Sequence, residues 1–495
     1  MNLPANLIYN GVKAGLGNVN KEEVTHKISE LSKNTKMFAR QAERSKLLDS
    51  QIDELKYKLQ FATPAQLRDA LNEVNAFISS IEKKRTLDQV IFHADLDAFF
   101  AAVETLLDPS LKGIPFAVGG SIKHGVVSTS SYEARQFGVR SGMAMFIALS
   151  LCPDLKIVTC HLDEYVEYSQ KVQRVFAEYD SNFTSFGLDE AALNMTEYLQ
   201  RTGRTAYEVA QELKDRVFKE TQLTISIGIS PNYQLSKIAS DINKPNGIFE
   251  VPNTLDEMLK FISDLPVRKI PGIGGVSERK LQELHFEKMG DILERKAEVW
   301  FLFHNAFRRF LFASCVGAPY SPKMSEVKKS YGKEETFEDT DNVVLLIEKI
   351  ERISEKIGLK LQRSRMACKR VTVKFKTHTF INITRSHTFD QYTSKIADIR
   401  DAAIAILLDE HRSQFLKLRL IGVRVSQFLM PGEKKQLSLK ECLELRKSEK
   451  QSKPNDPSQA SNALPITFNQ QFSNSTDDED QDMFDDSNTS ESERE

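Results

Sequence analysis

Residues 90–104 read Val-Ile-Phe-His-Ala-Asp-Leu-Asp-Ala-Phe-Phe-Ala-Ala-Val-Glu, and this stretch decides the fold. Its first three residues are apolar and favour β structure, as in a buried strand. The carboxylates of Asp95 and Asp97 follow at the end of that strand, and the next residues predict a helix packed against it. A strand that ends in carboxylates can hold a divalent cation over a phosphate. The alternative is a polar strand end in which one Asp caps the following helix.

The composition indicates an intracellular protein of several domains. The chain has 495 residues, of which 40% are hydrophobic, and this length suggests about three domains. No apolar run reaches the roughly 18 residues of a membrane helix, and the N-terminus lacks the pattern of a secretory signal. The five cysteines show no C-x-x-C spacing, so we expect reduced thiols and no zinc site.

Acidic residues are concentrated at the C-terminal end of the sequence. Residues 473–495 carry ten acidic side chains and one Arg, a net charge of −9. Because the whole chain has a formal charge of −2, the remaining residues carry +7 and are mildly basic. We therefore expect a disordered acidic tail over residues 430–495, where Ser, Asn, Gln, Asp and Pro dominate.

Residues 19–89 contain no glycine and are rich in Lys, Glu, Leu and Gln, which predicts charged helices. Asn20, followed closely by two glutamates, is a typical helix start, and Thr63 before Pro64 is a second one. The segment is either a solvated helical appendage or short coiled coil, or a helical arm that lies on a partner.

Strands and helices alternate from residue 90 to about residue 253. A hairpin over residues 183–195 carries Asp189 and Glu190 at or near its turn, and Thr224–Ile229 predicts a later strand. Antiparallel strand pairs combined with helices favour a ferredoxin-like α/β sheet over a doubly wound one.

The region from residue 254 to residue 320 is predicted to be helical. Within it, Val267–Ser277 has the pattern of a helix-hairpin-helix. In that motif the backbone, here around Gly272 and Gly274, contacts phosphate and reads no base. An ordinary turn between two helices is the alternative.

Residues 325–428 predict the element order β-α-β-β-α-β. The segment from Lys360 to Phe389 contains eight Lys or Arg, counting Lys360, and no acidic residue. Apolar and basic residues alternate along residues 369–376, so one face of this strand joins the core and the other carries positive charge. That row suits a nucleic-acid backbone, although a solvated basic sheet face has the same pattern. Its basic residues are Lys369, Arg370, Lys374 and Lys376.

Asp95, Asp189 and Glu190 are far apart in the sequence, but a ferredoxin-like sheet brings the ends of its central strands together. Three converging carboxylates repel one another unless cations are bound, and two Mg²⁺ ions about 3.5–4 Å apart are the usual arrangement in phosphoryl transfer. Leu96 could add its backbone carbonyl as a ligand. Asp97 is either a further ligand or a structural cap.

Two further segments could bind a triphosphate. Residues 128–135 supply hydroxyl groups and the guanidinium of Arg135, and Lys244 lies in the run Asp-Ile-Asn-Lys-Pro-Asn-Gly at residues 241–247. Arg grips phosphate with two hydrogen bonds, whereas Lys acts as a point charge. Either segment alone is equally consistent with surface salt bridges.

Five segments occur together in the order and spacing of the Y-family DNA polymerases, and the chain resembles the DinB branch of that family. They are Val90–Glu104, Ser128–Arg135, Phe137–Arg140, Leu188–Ala191 and Ser240–Gly247. The resemblance covers about residues 90–428. The stretch from Lys13 to about residue 85 is similar to the N-terminal extension of the eukaryotic kappa subfamily, whereas bacterial relatives start almost directly at the first catalytic strand.

The resemblance implies an α+β multidomain fold. The expected domains are a helical N-terminal extension (1–89), a ferredoxin-like palm (90–120 and 156–253), short fingers (121–155), a helical thumb (254–321) and a little finger (325–428). In kappa enzymes the extension holds the DNA from the side opposite the little finger.

The implied reaction is template-directed addition of deoxynucleotides to a primer 3′ end, with two Mg²⁺ ions as cofactors and release of pyrophosphate. Asp95, Asp189 and Glu190 match the metal-binding carboxylates of the family. Phe100 matches the steric gate, the ring that leaves no space for a 2′-hydroxyl, although many kappa enzymes have Tyr there. The implied nucleotide contacts are Phe99, Phe100, Thr129, Tyr132, Arg135 and Lys244.

Short fingers with small side chains at Ser141, Gly142 and Ala144 imply low fidelity and tolerance of damaged templates. No stretch suggests a proofreading exonuclease. The expected partners are primer-template DNA and dNTPs, and no membrane. We expect a monomeric protein in the nucleus.

Residues 436–443 resemble a sliding-clamp-binding box, Q-x-x-aliphatic-x-x-aromatic-aromatic. Gln436 and Leu439 match this pattern, whereas Cys442 and Leu443 replace the aromatic residues. We therefore expect low affinity for a clamp, and an amphipathic helix start is the alternative. Because Cys442 is the last cysteine, we do not expect the zinc fingers of animal kappa enzymes.

Two other functions compete with polymerase activity. A catalytically silent, polymerase-like DNA-binding scaffold would be expected to lose acidic residues that this chain keeps. A nucleotidyl cyclase also uses a ferredoxin-like sheet and two metal ions, but it has no polymer to hold. A helix-hairpin-helix and a second, basic ferredoxin-like unit therefore argue against it.

Overall fold

The computed structural model describes residues 15–17, 19–120, 122, 125–318, 329–413 and 416–429. The chain divides into two compact units, Met1–Lys323 and Met324–Glu495. Within the described ranges, every helix is too short or too polar to cross a lipid bilayer.

The first unit is mainly helical, and its strands are gathered in two sheets. Its helices are α1 (Lys21–Ser32), α2 (Lys36–Gln60), α3 (Pro64–Glu82), α4 (Phe99–Leu107), α5 (Tyr132–Arg135), α6 (Met145–Leu151), α7 (Leu162–Ala177), α8 (Thr196–Thr202), α9 (Ala206–Thr221), α10 (Tyr233–Ser240), α11 (Leu255–Asp264), α12 (Gly275–Glu283), α13 (Met289–Glu294), α14 (Lys296–Leu302) and α15 (Asn305–Cys315). Its strands are β1 (Ile91–Leu96), β2 (Phe116–Gly119), β3 (Val127–Ser130), β4 (Lys156–Val158), β5 (Thr184–Ser185), β6 (Glu190–Asn194), β7 (Ile225–Ser230) and β8 (Ile248–Glu250).

Strand β1 lies at the centre of the larger sheet, whose order is β5-β6-β1-β7-β8. It pairs antiparallel with β6 and with β7, and all of its residues are buried. The order β5-β6-β1-β7 is that of a ferredoxin-like sheet, as the sequence predicted, and β8 extends it by one parallel strand. The apolar start of β1 follows from this central position, since Ile91 and Phe92 are fully buried.

Strands β2, β3 and β4 form a separate sheet in the order β3-β2-β4. The boundaries expected from the sequence put β2 and β4 in the palm and β3 in the fingers, so the sheet crosses that division. β2 pairs antiparallel with β3 and parallel with β4. Such pairing joins segments separated by helices, and no local pattern in the sequence indicates it.

Helices α11 to α15 surround one apolar core, in which Leu281 and Phe312 are fully buried. A short 3₁₀ turn, Val267–Lys269, and a turn at Gly272 precede α12, so the second helix of the predicted hairpin is present. Gly272 has a φ of +105°, and a Cβ there would lie 2.9 Å from Cζ of Phe310. Glycine suits this close approach in a left-handed backbone conformation.

The N-terminal helices begin at the predicted caps. The side chain of Asn20 accepts hydrogen bonds from the N–H groups of Glu22 and Glu23 at the start of α1. Thr63 and Gln66 form a capping box at the start of α3. Each cap satisfies N–H groups that a helix end leaves without a partner.

These helices pack on their own chain, which neither interpretation of the sequence anticipated. Helix α1 buries Ile28 in a core that also contains residues of the small sheet. Helix α3 buries Val74 in the core of α11 to α15, and Glu73 accepts a 2.8 Å hydrogen bond from Nε1 of Trp300. The N-terminal helices therefore connect the small sheet to the helical cluster.

The second unit has the predicted element order β-α-β-β-α-β. Its elements are β9 (Ser330–Thr340), α16 (Val343–Arg363), β10 (Ala367–Thr377), β11 (Asn382–Thr393), α17 (Ile396–Ser413) and β12 (Leu418–Leu429). The strand order is β11-β10-β12-β9, which differs from the ferredoxin-like order expected for this unit. β12 takes a central position because much of it is apolar and buried, including Ile421, Val423 and Val425.

Candidate active site

The ends of two central strands bring the carboxylates of Asp95 and Glu190 together, whereas the Asp189 carboxylate is not part of this close group. Asp95 in β1 lies opposite Glu190 in β6, and the N–H of Leu96 donates a 2.8 Å hydrogen bond to the carbonyl of Asp189. Asp95 is buried, Glu190 is half-buried and Asp189 is exposed. Residues that are far apart in the sequence therefore share one site.

Two lysines neutralise part of this negative charge. Nζ of Lys244 lies 2.5 Å from Oδ1 of Asp95 and 3.2 Å from Oδ1 of Asp241. Lys237, on α10, forms an ion pair with Glu190. The sequence analysis identified Lys244, but nothing in the local pattern marked Lys237, because its position depends on how α10 packs on the sheet.

The surroundings shift the pKa values of these acids in opposite directions. Burial raises the pKa of Asp95 to about 7, although a neighbouring lysine opposes this change. Burial would also raise the pKa of Glu190, but the imidazole of His93 and the ammonium of Lys237 lower it to about 2. Desolvation and the charge of Glu190 raise the pKa of Asp189. Near neutral pH, Asp95 is the acid whose charge changes most readily.

His93 is a buried neighbour of the carboxylates that the sequence analysis did not identify. Its Nε2 lies 3.5 Å from Oε2 of Glu190, and its ring stacks on that of Phe186. The sequence does contain a signal for this residue. His93 and Asp95 are two positions apart on a strand, so their side chains point to the same face of the sheet.

The donor atoms at this site fit a divalent cation. One atom each from His93, Asp95 and Glu190 lies within 4.8 Å of the other two. Carboxylate oxygens are the ligands that Mg²⁺ prefers, and Asp189 adds a further carboxylate beside Glu190. A bound cation would relieve the repulsion between these acids, whose charge is now balanced by lysines.

Asp97 stabilises the backbone around the site. Its carboxylate accepts hydrogen bonds from the hydroxyl of Thr224 (2.8 Å), the hydroxyl of Ser226 (2.7 Å) and the N–H of Asn246 (2.7 Å). Both carboxylate oxygens are engaged, and the side chain is buried. Asp97 therefore has a structural role, but it does not cap α4, whose N-terminus has no side-chain cap. Its bonds join the turn after β1 to β7 and to the loop at Asn246.

The two phenylalanines at the start of α4 have different surroundings. Phe99 is buried in the core, whereas Phe100 is half-buried. The ring of Phe100 stacks on that of Tyr165, with centroids 4.1 Å apart and an angle of 14° between the planes. Tyr165, on α7, is another residue that the sequence analysis missed, since only the packing of α4 on α7 brings the rings together.

The remaining predicted nucleotide contacts lie on and next to α5. Tyr132 and Arg135 stand at the two ends of this helix, and the Arg135 guanidinium lies 4.5 Å from the centroid of the Tyr132 ring. Thr129 is half-buried on the preceding strand β3. The N-terminal segment reaches the same helix, because a Cβ on Gly15 would lie 2.9 Å from Cδ1 of Tyr132.

Tyr132 lies in the electrostatic field of the carboxylates. Burial and the negative charge of Asp97 raise the pKa of Tyr132 to about 12. Its hydroxyl is buried and has no hydrogen-bond partner among the described residues. A buried donor in this state is suited to a ligand oxygen.

The turn before α12 exposes backbone to solvent. Gly274 is the N-cap of α12, and nothing lies within 4 Å of the position that its Cβ would occupy. A Cβ on Gly272, in contrast, would meet the ring of Phe310. The two predicted DNA contacts in this turn therefore differ in how much space surrounds them.

The second unit presents a partly basic sheet face. Lys369 is an even number of positions from the buried Val371 and Val373, so it lies outside the predicted row, with its Nζ 5.8 Å from the centroid of the Tyr392 ring. Lys374 pairs with Glu334 at 3.0 Å, which reduces the positive charge of the face. The basic residues that alternate with the buried ones on β10 are Arg370, Lys374 and Lys376.

Two predictions fall outside the described residues. One is the clamp-like segment with Gln436, Leu439, Cys442 and Leu443. The other is the acidic tail that ends at residue 495. Both stay predictions from the sequence.

Comparison with protein-family models matches three segments of the chain. The impB/mucB/samB family matches residues 94–241, and the impB/mucB/samB family C-terminal domain matches residues 328–439. The IMS family HHH motif matches residues 256–286, which include the turn at Gly272. These segments contain the carboxylates, the hairpin and the basic strand β10.

Curated proteins are similar over most of the chain. It is 36% identical over 427 residues to DNA polymerase kappa of Arabidopsis thaliana, covering 86% of this chain and 63% of that protein. It is 30% identical over 491 residues to DNA polymerase kappa of Caenorhabditis elegans, covering 87% of this chain and 81% of that protein. It is 37% identical over 357 residues to DNA polymerase IV of Yersinia enterocolitica, covering 70% of this chain and 98% of that protein. The chain spans 63%, 57% and 59% of the kappa proteins of Arabidopsis thaliana, Homo sapiens and Mus musculus.

Solved structures show a similar fold. A Y-family DNA polymerase chimera of Dbh and Dpo4 superposes with a TM-score of 0.62 at 25% identity, covering 69% of this chain and 99% of that chain. An insertion ternary complex of Dbh DNA polymerase gives a TM-score of 0.51 at 25% identity and the same coverage.

Proposed function

Because the chain belongs to the Y-family DNA polymerases, the impB/mucB/samB family, we propose that it is a polymerase that copies damaged DNA templates. It adds deoxynucleotides from dNTPs to the 3′ end of a primer paired with template DNA. The observation that carries this proposal is that Asp95 and Glu190 face each other on adjacent strands with their carboxylates close together, and that Asp189 directly precedes Glu190.

Asp95, Asp189 and Glu190 would hold two Mg²⁺ ions, with the backbone carbonyl of Leu96 as a further ligand. When bound, such ions lower the pKa of the attacking hydroxyl and stabilise the charge on the leaving oxygens. The raised pKa of Asp95 supports this assignment, because the carboxylate is buried where its charged form needs a cation.

Thr129, Tyr132, Arg135 and Lys244 bind the triphosphate. The guanidinium of Arg135 can donate two hydrogen bonds to one phosphate. The buried hydroxyl of Tyr132 has no partner among the described residues and supplies a further donor. Lys244 brings a positive charge to the carboxylates, since it is already held at Asp95.

Phe100 selects the sugar. Its half-buried ring stands five residues after Asp95, at the N-terminal end of α4. A ring under the sugar leaves no space for a 2′-hydroxyl. Because the size of the ring excludes that hydroxyl, Phe discriminates against ribose as well as Tyr does. Phe99 supports this ring from the core, with centroids 5.5 Å apart.

We assign the domains from the family resemblance, and three surfaces hold the primer-template DNA. These surfaces are the turn at Gly272 and Gly274, the basic face of β10 and the N-terminal helices. The assignments are N-terminal extension 1–89, palm 90–120 and 156–253, fingers 121–155, thumb 254–321 and little finger 325–428.

The short fingers enclose the new base pair loosely, because Ser141, Gly142 and Ala144 have small side chains or none. Selectivity then rests largely on base pairing, which gives low fidelity and allows damaged bases to pass. We further propose that the protein works as a monomer in the nucleus, on the basis of its similarity to kappa proteins of eukaryotes.

The test is primer extension with Mg²⁺ on an undamaged template and on one with a guanine adduct. The wild type should extend both primers. The variant Asp189→Ala/Glu190→Ala should lose at least about a hundredfold in rate, the scale expected for removing groups that stabilise a transition state directly.

A matched control removes two acids elsewhere in the same unit. Asp215 and Glu220 are exposed on α9, so Asp215→Ala/Glu220→Ala changes the charge equally and should extend primers like the wild type. Full extension by the Asp189→Ala/Glu190→Ala variant would remove the catalytic assignment. A wild type that binds DNA but never extends would favour the scaffold function instead.

A further inference from the structure

Glu104 is a buried carboxylate that the proposed chemistry leaves unused. It lies on α4, one helical turn after Phe100, and its side chain is 3% exposed. Burying a carboxylate is unfavourable unless hydrogen bonds and charges compensate. The hydroxyl of Tyr165 donates to Oε1 of Glu104, and Nδ1 of His161 lies 2.9 Å from the same oxygen and 3.0 Å from Oε2. Two side chains at the start of α7 therefore hold this acid.

Tyr165 connects Glu104 to Phe100. Its side chain is fully buried, and its ring stacks on Phe100 with centroids 4.1 Å apart and planes at 14°. Burial and the hydrogen bond to Glu104 raise the pKa of Tyr165 above its ordinary value, so the hydroxyl stays protonated and donates. The tyrosine is therefore held at its hydroxyl by a carboxylate, while its ring face supports Phe100.

We propose that Glu104 and Tyr165 are positioning residues that hold the Phe100 ring where it excludes a 2′-hydroxyl. This inference rests on the proposed function, in which Phe100 packs under the sugar of the incoming nucleotide. Phe100 is half-buried, so part of its surface can meet a nucleotide while the ring rests on Tyr165.

The hydrogen bond is needed because stacking between two rings resists sliding only weakly. A hydrogen bond to a charged group is about twice as strong as one between neutral groups. Displacing a positioning group by about 1 Å can change a rate a hundredfold. Without the hydrogen bond to Glu104, Tyr165 would let the Phe100 ring move. The selectivity for the dNTP over the rNTP would then fall more than kcat/KM for the dNTP itself.

The test uses Tyr165→Phe, which keeps the ring and removes only the hydroxyl. The kcat/KM values for one dNTP and for the matching rNTP give a ratio that measures sugar selectivity. We expect this ratio to fall about tenfold, the scale of one hydrogen bond to a charged group, while the value for the dNTP falls less. An unchanged ratio would overturn the positioning role.

Tyr179→Phe is the matched control. Tyr179 is also buried and donates a 2.6 Å hydrogen bond to Glu212 in the same unit, but it does not stack on Phe100. This variant should keep the wild-type ratio. If both variants lower kcat/KM for the dNTP and leave the ratio unchanged, Tyr165 is merely structural and the inference is wrong.

Phe100→Ala separates the inference from the proposed function. Loss of selectivity in Phe100→Ala together with wild-type selectivity in Tyr165→Phe would reject the inference alone. Unchanged selectivity in Phe100→Ala would reject Phe100 as the selecting ring. In the double variant, removing the Tyr165 hydroxyl should have no further effect on the ratio, because the ring that it positions is gone. A further, additive loss would contradict the positioning role.

Glu104→Gln tests the carboxylate itself. The amide keeps an acceptor for Tyr165 but removes the negative charge that strengthens the bond and pairs with His161. Selectivity should therefore lie between those of the wild type and Tyr165→Phe, with thermal unfolding used to establish that the variant is folded. Wild-type selectivity in Glu104→Gln would show that Glu104 does not help to position Phe100.

Discussion

Two aspartates, Asp95 on β1 and Asp97 in the turn after it, serve different purposes. Asp95 lies 2.5 Å from Lys244 among the acids of the candidate metal site. Asp97 accepts three hydrogen bonds, two from hydroxyl groups and one from the N–H of Asn246. The same residue type therefore belongs to the candidate metal site in one place and anchors the backbone in the other.

Replacing Asp97 should damage stability directly. In Asp97→Ala, three donors, one of them on the buried Ser226, lose their acceptor, and we expect the free energy of unfolding to fall by about 3 kcal/mol in urea titrations. The exposed Asp189 gives the contrast. Asp189→Ala should change stability by less than about 0.5 kcal/mol while abolishing primer extension. Equal stability of the two variants would contradict the anchoring role of Asp97.

The raised pKa of Asp95 predicts how pH controls cation binding. The folded chain holds this proton up to a pH of about 7, whereas the ordinary value is 3.8. Protonation of Asp95 therefore contributes to the free energy of unfolding. This contribution is fully present below pH 3.8, the ordinary pKa, and is lost as the pH rises through about 7. A cation binds only the deprotonated carboxylate, so it must compete with the proton below that pH.

We therefore expect Mg²⁺ to raise the melting temperature more at one pH unit above that pKa than at one unit below it. Thermal unfolding with and without Mg²⁺ measures this difference. Asp95→Asn carries no titrating carboxylate and should remove the pH dependence of the Mg²⁺ effect. An equal effect of Mg²⁺ at both pH values in the wild type would show that Asp95 does not bind the ion.

Among the structural elements, the turn before α12 contains two glycines that differ in the space available for a side chain. Gly272 has a φ of +105° and faces Phe310, whereas Gly274 has a φ of −83° and open space at its Cβ position. Gly272→Ala should lower the free energy of unfolding by about 1–3 kcal/mol, because the new methyl group meets the ring in a strained conformation.

Gly274→Ala should leave stability within about 0.5 kcal/mol of the wild type. It should nevertheless weaken binding to duplex DNA, because a methyl group would keep phosphate away from the backbone N–H groups. Urea unfolding and fluorescence anisotropy with labelled DNA measure the two effects. Wild-type DNA affinity in Gly274→Ala would mean that phosphate does not approach the turn there.

At the scale of the whole molecule, each compact unit has its own hydrophobic core. Val74 is fully buried in the first unit and Val373 in the second. We expect calorimetry to resolve more than one unfolding transition, because separate cores need not unfold together. Each of the variants Val74→Ala and Val373→Ala should lower the free energy of unfolding for one of these transitions by about 2 kcal/mol. A single transition that both variants shift equally would contradict this independence.

Local sequence patterns predicted the kinds of elements and identified Asp95, Asp189 and Glu190 as candidates for one site. Helix starts at Asn20 and Thr63 were predicted correctly, because a cap and its partners lie within one turn of chain. The apolar run before Asp95 predicted the central strand, and the carboxylate pair at Asp189 lies at the start of β6. Each of these signals is local, so it can be recognised in a short run of consecutive residues.

Which side chains meet depends on tertiary packing. The structural role of Asp97, the pairing of Lys237 with Glu190 and the stacking of Tyr165 behind Phe100 all join separate elements. The packing of the N-terminal helices on their own chain and the strand order of the second unit have the same origin. Such contacts form when distant elements pack together, and packing of this kind leaves no periodic pattern in the residues that take part.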